Sequence, residues 1–244
     1  MKVDLLTYTP DCEKVVAVAA KTCYSKKDAY TLYNEMTEEQ IEKMISHLLM
    51  SQHTSPIEHA YFTFAIQGLD RATAQQLTRH RIMNTSMQSQ RYVDMSNANF
   101  SMPTSIAFNA AAARPTAKEV FLQFLSSVNN TYKFFTKTCG IKKEDARSIF
   151  PVCTQSNLMI TLNAAELYHI FNLRCCTRAQ GEFRELADKM LKLVKDVAPH
   201  LFAKAGASCV HYGYCPEGTQ SCGKAPTLSK LLEIYNKFLN KKVG

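Results

Sequence analysis

His59-Ala60-Tyr61-Phe62-Thr63-Phe64-Ala65-Ile66-Gln67-Gly68-Leu69-Asp70-Arg71-Ala72-Thr73-Ala74-Gln75-Gln76-Leu77-Thr78 is the stretch on which the reading of the fold turns. Residues 59–67 are rich in aromatic and β-branched side chains, the composition of a strand. A short helix over 70–78 then delivers the chain to Arg79. Working outward, residues 2–8 read as a further strand and 11–23 as a helix. Thr37-Glu38-Glu39-Gln40 has the form of a capping box, in which Thr37 and Gln40 satisfy orphan amides at a helix start. The helix behind it carries Ile41, Met44, Ile45, Leu48 and Leu49 at helical spacing and ends near Ser51. His53-Thr54-Ser55-Pro56 reads as a turn. Downstream, residues 115–139, 142–149, 163–173 and 179–205 read as helices, with Asn163 a candidate N-cap. Residues 206–227 hold four Gly, two Pro and three Cys and read as irregular, before a short basic helix over 227–241.

With 244 residues, 46% hydrophobic and 20% charged, the chain can bury a substantial core and is not a disordered polymer. No apolar run approaches the roughly 20 residues of a membrane span, and the N-terminus shows no signal-peptide pattern. The expected location is therefore cytoplasmic, with nine reduced cysteines. A formal net charge of +8 favours anionic partners, whether a nucleotide phosphate, a folate tail or a nucleic acid backbone.

The chemistry concentrates in Gln76 to Tyr92. Arg79, His80 and Arg81 cannot all share one face of a helix or strand, so a fixed anion or an electron-rich ring is their natural partner. Arginine grips phosphate and carboxylate in bidentate fashion and stacks on planar π systems. Ser89 and Arg91, with the amide of Gln90 between them, form a compact donor set suited to a phosphate. The competing reading is a solvated basic loop.

Arg-His-Arg followed after seven residues by Ser resembles the signature of the flavin-dependent thymidylate synthases, with Arg79, His80, Arg81 and Ser89 at its fixed positions. His53-x-Ser55-Pro56-x-Glu58-His59, Phe62-x-Phe64 and Gln76 resemble further family features. So do Ala146-Arg147, Asn163-Ala164, His169-x-Phe171, Leu173-Arg174 and Ala179-Gln180-x-Glu182. The resemblance spans residues 40–190 in the expected order. It departs at Asn84, Ser86 and Met87, and at Ala19-Ala20-Lys21-Thr22-Cys23.

The resemblance implies methylation of dUMP to dTMP, with methylenetetrahydrofolate as one-carbon donor, reduced FAD as hydride donor and NADPH as the usual reductant. It implies that His53, Ser55, Arg79, His80, Arg81, Asn163 and His169 contact FAD. Gln76, Arg79, Ser89, Gln90 (through its backbone), Arg91 and Arg147 would hold dUMP, mainly at its phosphate. Arg174 would contact and polarise the uracil as the catalytic residue. It also implies a homotetramer with active sites shared among subunits. The alternatives are a related flavin-dependent pyrimidine modification, such as hydroxymethylation, and a basic nucleic-acid-binding protein. No aromatics interleave with the basic residues to make a base-stacking platform, which counts against the latter.

The expected fold is α/β (α+β), a single domain whose central, mostly antiparallel sheet is flanked by long helices. Residues 1–205 would form the synthase domain and 206–244 a cysteine-rich C-terminal appendage packed on it. Cys175, Cys176, Cys209, Cys215 and Cys222 contain no Cys-x-x-Cys pair, so spacing does not signal a zinc ribbon. Packing as free thiols is the expected role, with zinc or an iron–sulfur cluster left open.

Overall fold

In a computed structural model, residues 1–51 and 53–242 are described. In chain order the elements are β1 (Lys2–Tyr8), α1 (Cys12–Thr22), α2 (Ala29–Glu35), α3 (Glu38–Ser51), β2 (Tyr61–Asp70), α4 (Arg71–Leu77), β3 (Met83–Met87) and α5 (Thr104–Ala107). They continue with α6 (Ala117–Lys133), α7 (Lys143–Ala146), β4 (Gln155–Asn163), α8 (Ala164–Arg174), α9 (Gly181–Val197), α10 (Ser208–Tyr212) and α11 (Leu228–Lys242). The strands pair in the order β1-β2-β4-β3 as one open antiparallel sheet. The α/β class with an antiparallel sheet is therefore as expected. Among the described residues no helix is long and apolar enough to cross a membrane.

The chain's contacts gather into two compact units. The first comprises Met1–Lys2, Ala65–Arg79 and Thr85–Ile160; the second comprises Val3–Phe64, His80–Asn84 and the chain from Thr161 on. The first unit centres on Tyr132, fully buried, whose ring lies 4.9 Å from Phe150 and whose hydroxyl accepts the Met95 amide at 3.5 Å. In the second, Phe202 meets Phe62 at 5.3 Å, Tyr168 at 5.6 Å and Phe171 at 6.2 Å, an aromatic cluster of edge and stacked contacts.

One local device recurs at both functional helices. Asp70 ends β2 and at once caps α4, its carboxylate accepting the Thr73 amide at 2.6 Å. Asn163 likewise ends β4 and caps α8, accepting the Glu166 amide at 2.9 Å. Each Asx residue holds extended backbone while its side chain satisfies an orphan helical N–H, so strand becomes helix without a loop. The Thr37–Gln40 box forms reciprocally as the sequence predicts.

The structure adds elements to the sequence-based expectation. Strand β4 buries Ser156, Leu158, Ile160 and Leu162 on one face. Met159, apolar but exposed on the other face, blurs the alternation that marks a strand. β3 is short and polar, α2 is a brief helix capped by Asp28, and α5 spans a single turn. The expected helix 115–139 runs as α6 and then widens into a π turn over Phe134–Thr138. The expected helix 179–205 stops at Val197, because Pro199 drives Ala198 out of the helical region, to φ −145° and ψ 66°.

Asp70→Ala should leave the buried Thr73 amide without its cap and destabilise the protein by about 1–2 kcal/mol, read as a lower urea midpoint. An unchanged midpoint would show that the cap does not hold the start of α4.

Candidate active site

Helix α4 ends two residues before Arg79, and the residue after Arg79 turns inward. His80 is 5% exposed, whereas Arg79 and Arg81 on either side of it are exposed. The expectation that the three cationic positions cannot share a face is met by this alternation. The His80 ring is held at both nitrogens. Nδ1 lies 3.2 Å from Oε1 of buried Glu166, and Nε2 accepts from the Arg174 Nε–H at 3.3 Å.

An imidazole nitrogen that accepts from a guanidinium carries no proton, so the ring proton sits on Nδ1 and points at Glu166. The electrostatics agree. Burial, then the charge of Arg174, then His169 pull the His80 pKa down from 6.5 to about 4. The ring is therefore neutral at neutral pH, and its contact with Glu166 is a charge-assisted hydrogen bond rather than an ion pair. Burial raises the Glu166 carboxyl above its usual range, opposed by His169.

Glu166, Ile170 and Arg174 follow at four-residue steps along α8, which places acid and guanidinium on one stripe of the helix. The Arg174 guanidinium carbon lies 4.5 Å from the centroid of the buried Phe183 ring on α9. The result is a chain from Glu166 through His80 to Arg174, with a phenyl ring beneath the guanidinium. Glu166 and Phe183 are the functional positions that sequence reasoning missed. The available signal was an acid at the third position of a capped helix, eight residues before Arg174.

His169 is exposed on α8, with its ring 5.3 Å from that of His80. The ligand atoms of His80, Glu166 and His169 lie within 4.8 Å of one another. A cation there would face the Arg174 charge, and the lone pair of His80 Nε2 is already committed, so the geometry favours a hydrogen-bond relay over a metal centre. A cavity of about 270 Å³ is lined by His53, Tyr168, His169, Asn172, His211 and Tyr212, among others. Asn172 Oδ1 and His211 Nδ1 are buried without a hydrogen-bond partner. Ser55 is exposed at the start of the turn that follows His53, and Asn163 is buried as the α8 cap.

The expected phosphate set gathers in the first unit. Ser89 Oγ accepts the Arg91 amide at 3.3 Å, and Ser89 O accepts the amides of Tyr92 and Val93. Gln90 between them is buried, and its Nε2 has no hydrogen-bond partner. Arg91 reaches Glu144 Oε2 with Nε at 3.2 Å and with a terminal nitrogen at 2.9 Å, while Arg147 Nε donates to the Glu144 carbonyl at 3.1 Å. Ser89, Gln90, Arg91 and Arg147 thus converge on one turn and one glutamate. Gln76 is half-buried on α4, and its carbonyl accepts the Arg79 amide at 3.2 Å.

This arrangement has known counterparts. A family model described as thymidylate synthase complementing protein matches residues 4–200. A flavin-dependent thymidylate synthase of Clostridium tetani is 41% identical over 246 residues, covering 95% of this chain and 96% of that protein. One of Nitratidesulfovibrio vulgaris is 42% identical over 238 residues, covering 92% and 95%. One of Pyrococcus furiosus is 34% identical over 227 residues, covering 89% and 90%. With the match running from β1 to beyond α9, the chain belongs to the thymidylate synthase complementing protein family, that of the flavin-dependent thymidylate synthases.

Proposed function

We propose that the chain methylates dUMP to dTMP with FAD, methylenetetrahydrofolate and NADPH, and that the Glu166–His80–Arg174 chain is the device that makes the uracil reactive. The observation that carries this reading is the neutral His80 ring gripped at both nitrogens. It fixes a guanidinium that would otherwise sample many rotamers.

The residues fit the cofactor. The cavity beside His53 and His169 is lined by the rings of Tyr168, His211 and Tyr212 and by Leu48, Leu49 and Ile57, and Asn172 and His211 each bring a buried polar atom without a partner. Such a lining suits a planar ring system with hydrogen-bonding edges. Of the residues expected to hold FAD, which are His53, Ser55, Arg79, His80, Arg81, Asn163 and His169, both His53 and His169 line this cavity. Bound reduced FAD supplies the hydride, and the folate supplies the one-carbon unit.

The protein's own part is to bind, orient and polarise. Gln76, Arg79, Ser89, the Gln90 backbone, Arg91 and Arg147 would bind dUMP, chiefly its phosphate. Arg174 donates to a uracil carbonyl and stabilises the negative charge that grows on the ring as its carbon becomes nucleophilic. His80 and Glu166 hold Arg174 in place without themselves giving up a proton. A homotetramer whose active sites are shared among subunits lets the phosphate set and Arg174 of one site come from different copies. A cytoplasmic location accords with nine cysteines that form no disulfide among the described residues.

The direct test is tritium release from 5-tritiated dUMP, with chromatography of the product. Formation of dTMP is expected, and a hydroxymethyl product would overturn the assignment. Arg174→Ala should lower kcat at least a hundredfold while FAD stays bound; normal turnover would remove Arg174 from the chemistry. Ser89→Ala should weaken dUMP binding, measured by calorimetry, more than it weakens FAD binding, and equal losses would argue against the phosphate role.

The pH dependence of stability tests the relay. A histidine whose folded pKa is depressed stabilises the fold fully above its unfolded pKa, and that contribution is lost as pH falls through the folded one. His80 should therefore cost up to about 3 kcal/mol between pH 6.5 and about 4. Glu166, raised by burial, acts in the opposite sense. His80→Asn should flatten urea midpoints across that window. An unchanged slope would mean that the ring is not held neutral.

A further inference from the structure

Among the described residues none of the nine cysteines forms a disulfide, and five of them line one cavity. Cys175 and Cys176 directly follow Arg174 at the end of α8, Cys209 lies on α10, and Cys215 and Cys222 lie on the segment that follows it. That segment is closed on itself. The Cys215 amide donates to the Pro226 carbonyl at 2.7 Å, and Cys215 pairs with Thr227 in a parallel bridge. Gly213 and Gly223, at φ 78° and 80°, supply left-handed turns beside Cys215 and Cys222. The Ser208 hydroxyl donates to the Asn172 carbonyl at 2.9 Å, tying α10 to α8. All five cysteines line a single cavity of about 360 Å³, with Cys215 buried and Cys222 at its exposed mouth.

Sulfur spacing discriminates among occupants. Tetrahedral zinc, with bonds of about 2.3 Å, holds its thiolates about 3.8 Å apart. Among the described residues, three or more candidate ligand atoms come within 4.8 Å of one another at His80, Glu166 and His169, and these sulfurs do not form such a group. A cuboidal four-iron cluster holds its four thiolates further apart than a single tetrahedral ion does. The cavity is also roughly ten times the share of liquid volume, about 30 Å³, of a single water molecule. Of the five, the Cys175 thiol is engaged by the Asp188 carboxylate on α9. The Cys222 sulfur accepts from the Thr177 hydroxyl and the Lys224 amide, the kind of donors that surround cluster thiolates. Lys224 and Arg178, the latter paired with Glu217, place cationic side chains on the cavity wall.

We propose that Cys176, Cys209, Cys215 and Cys222 ligate a four-iron, four-sulfide cluster in the cavity beyond the C-terminal end of α8. Assembly balances with two ferrous, two ferric and four sulfide ions replacing four thiol protons, which leaves a core of charge 2+ and a dianion once the thiolates are counted. Because Cys176 is two residues beyond Arg174, the cluster clamps the end of the helix that carries the uracil-facing guanidinium.

The test is anaerobic purification of the full chain, then reconstitution with equal ferrous and ferric iron plus sulfide. Iron and acid-labile sulfide are assayed chemically, and Mössbauer spectra are recorded, so that flavin absorption does not interfere. About four iron and four sulfide per chain are expected. Both should fall to background in Cys209→Ser and in Cys222→Ser, the latter at an exposed position that leaves the fold intact, and both should persist in Cys175→Ser and Cys139→Ser. Tightly bound zinc without sulfide, failure to retain either metal, or full iron and sulfide in the two ligand variants would each overturn the proposal. Thymidylate synthesis is assayed separately, so loss of the cluster proposal leaves the enzymatic reading standing.

Discussion

A buried imidazole that must stay uncharged is the constraint around which the site is organised. His80 accepts a hydrogen bond from Arg174 and donates one to Glu166, and only the neutral ring with its proton on Nδ1 can do both. Protonation would set two cations against each other at 3.3 Å in a region sheltered from water. Burying Glu166 carries a desolvation cost, which the hydrogen bond from His80 and the capped start of α8 offset in part. The two Asx caps are what make the geometry reproducible. One ends the strand that leads to His80, and the other ends the strand that leads to Glu166 and Arg174.

How much of this could be read from the chain differs by element. Arg79-His80-Arg81 and Ser89 pointed to a site through their resemblance to a family signature; their charges alone suited a solvated basic loop as well. The strand 59–67 and the capped helix behind Thr37 were legible from side-chain type and from the box residues. Glu166 was hidden because an acid near a helix start reads equally well as a dipole partner. Phe183 was hidden because an aromatic on an amphipathic helix reads as core. β4 escaped because Met159 breaks the alternation, and β3 because Met83–Met87 is too polar to signal a strand at all. Pro199 did mark the end of α9 in the sequence, but the apolar period continuing past it obscured the stop.

The two expected ligand sets also divide cleanly along the chain's own contacts. The residues assigned to FAD lie in the second compact unit except Arg79, and those assigned to dUMP lie in the first except Arg174. Residues from 206 on fall within the second unit. The cysteine-bearing segment is thus part of the same compact unit as Arg174 and His169, and Cys175 and Cys176 follow Arg174 directly in the chain.

The pairing of Arg91 with Glu144 has a kinetic side. Both side chains are largely exposed, at 50% and 40%, so their attraction is worth about 1 kcal/mol or less in water. An exposed arginine on its own would wander among many rotamers. Tethered to Glu144 it stays extended on the turn that carries Ser89. In the phosphate role proposed for Arg91, Glu144 would act as a latch that trades loose searching for quick hand-over, its light grip easily exchanged for a dianion.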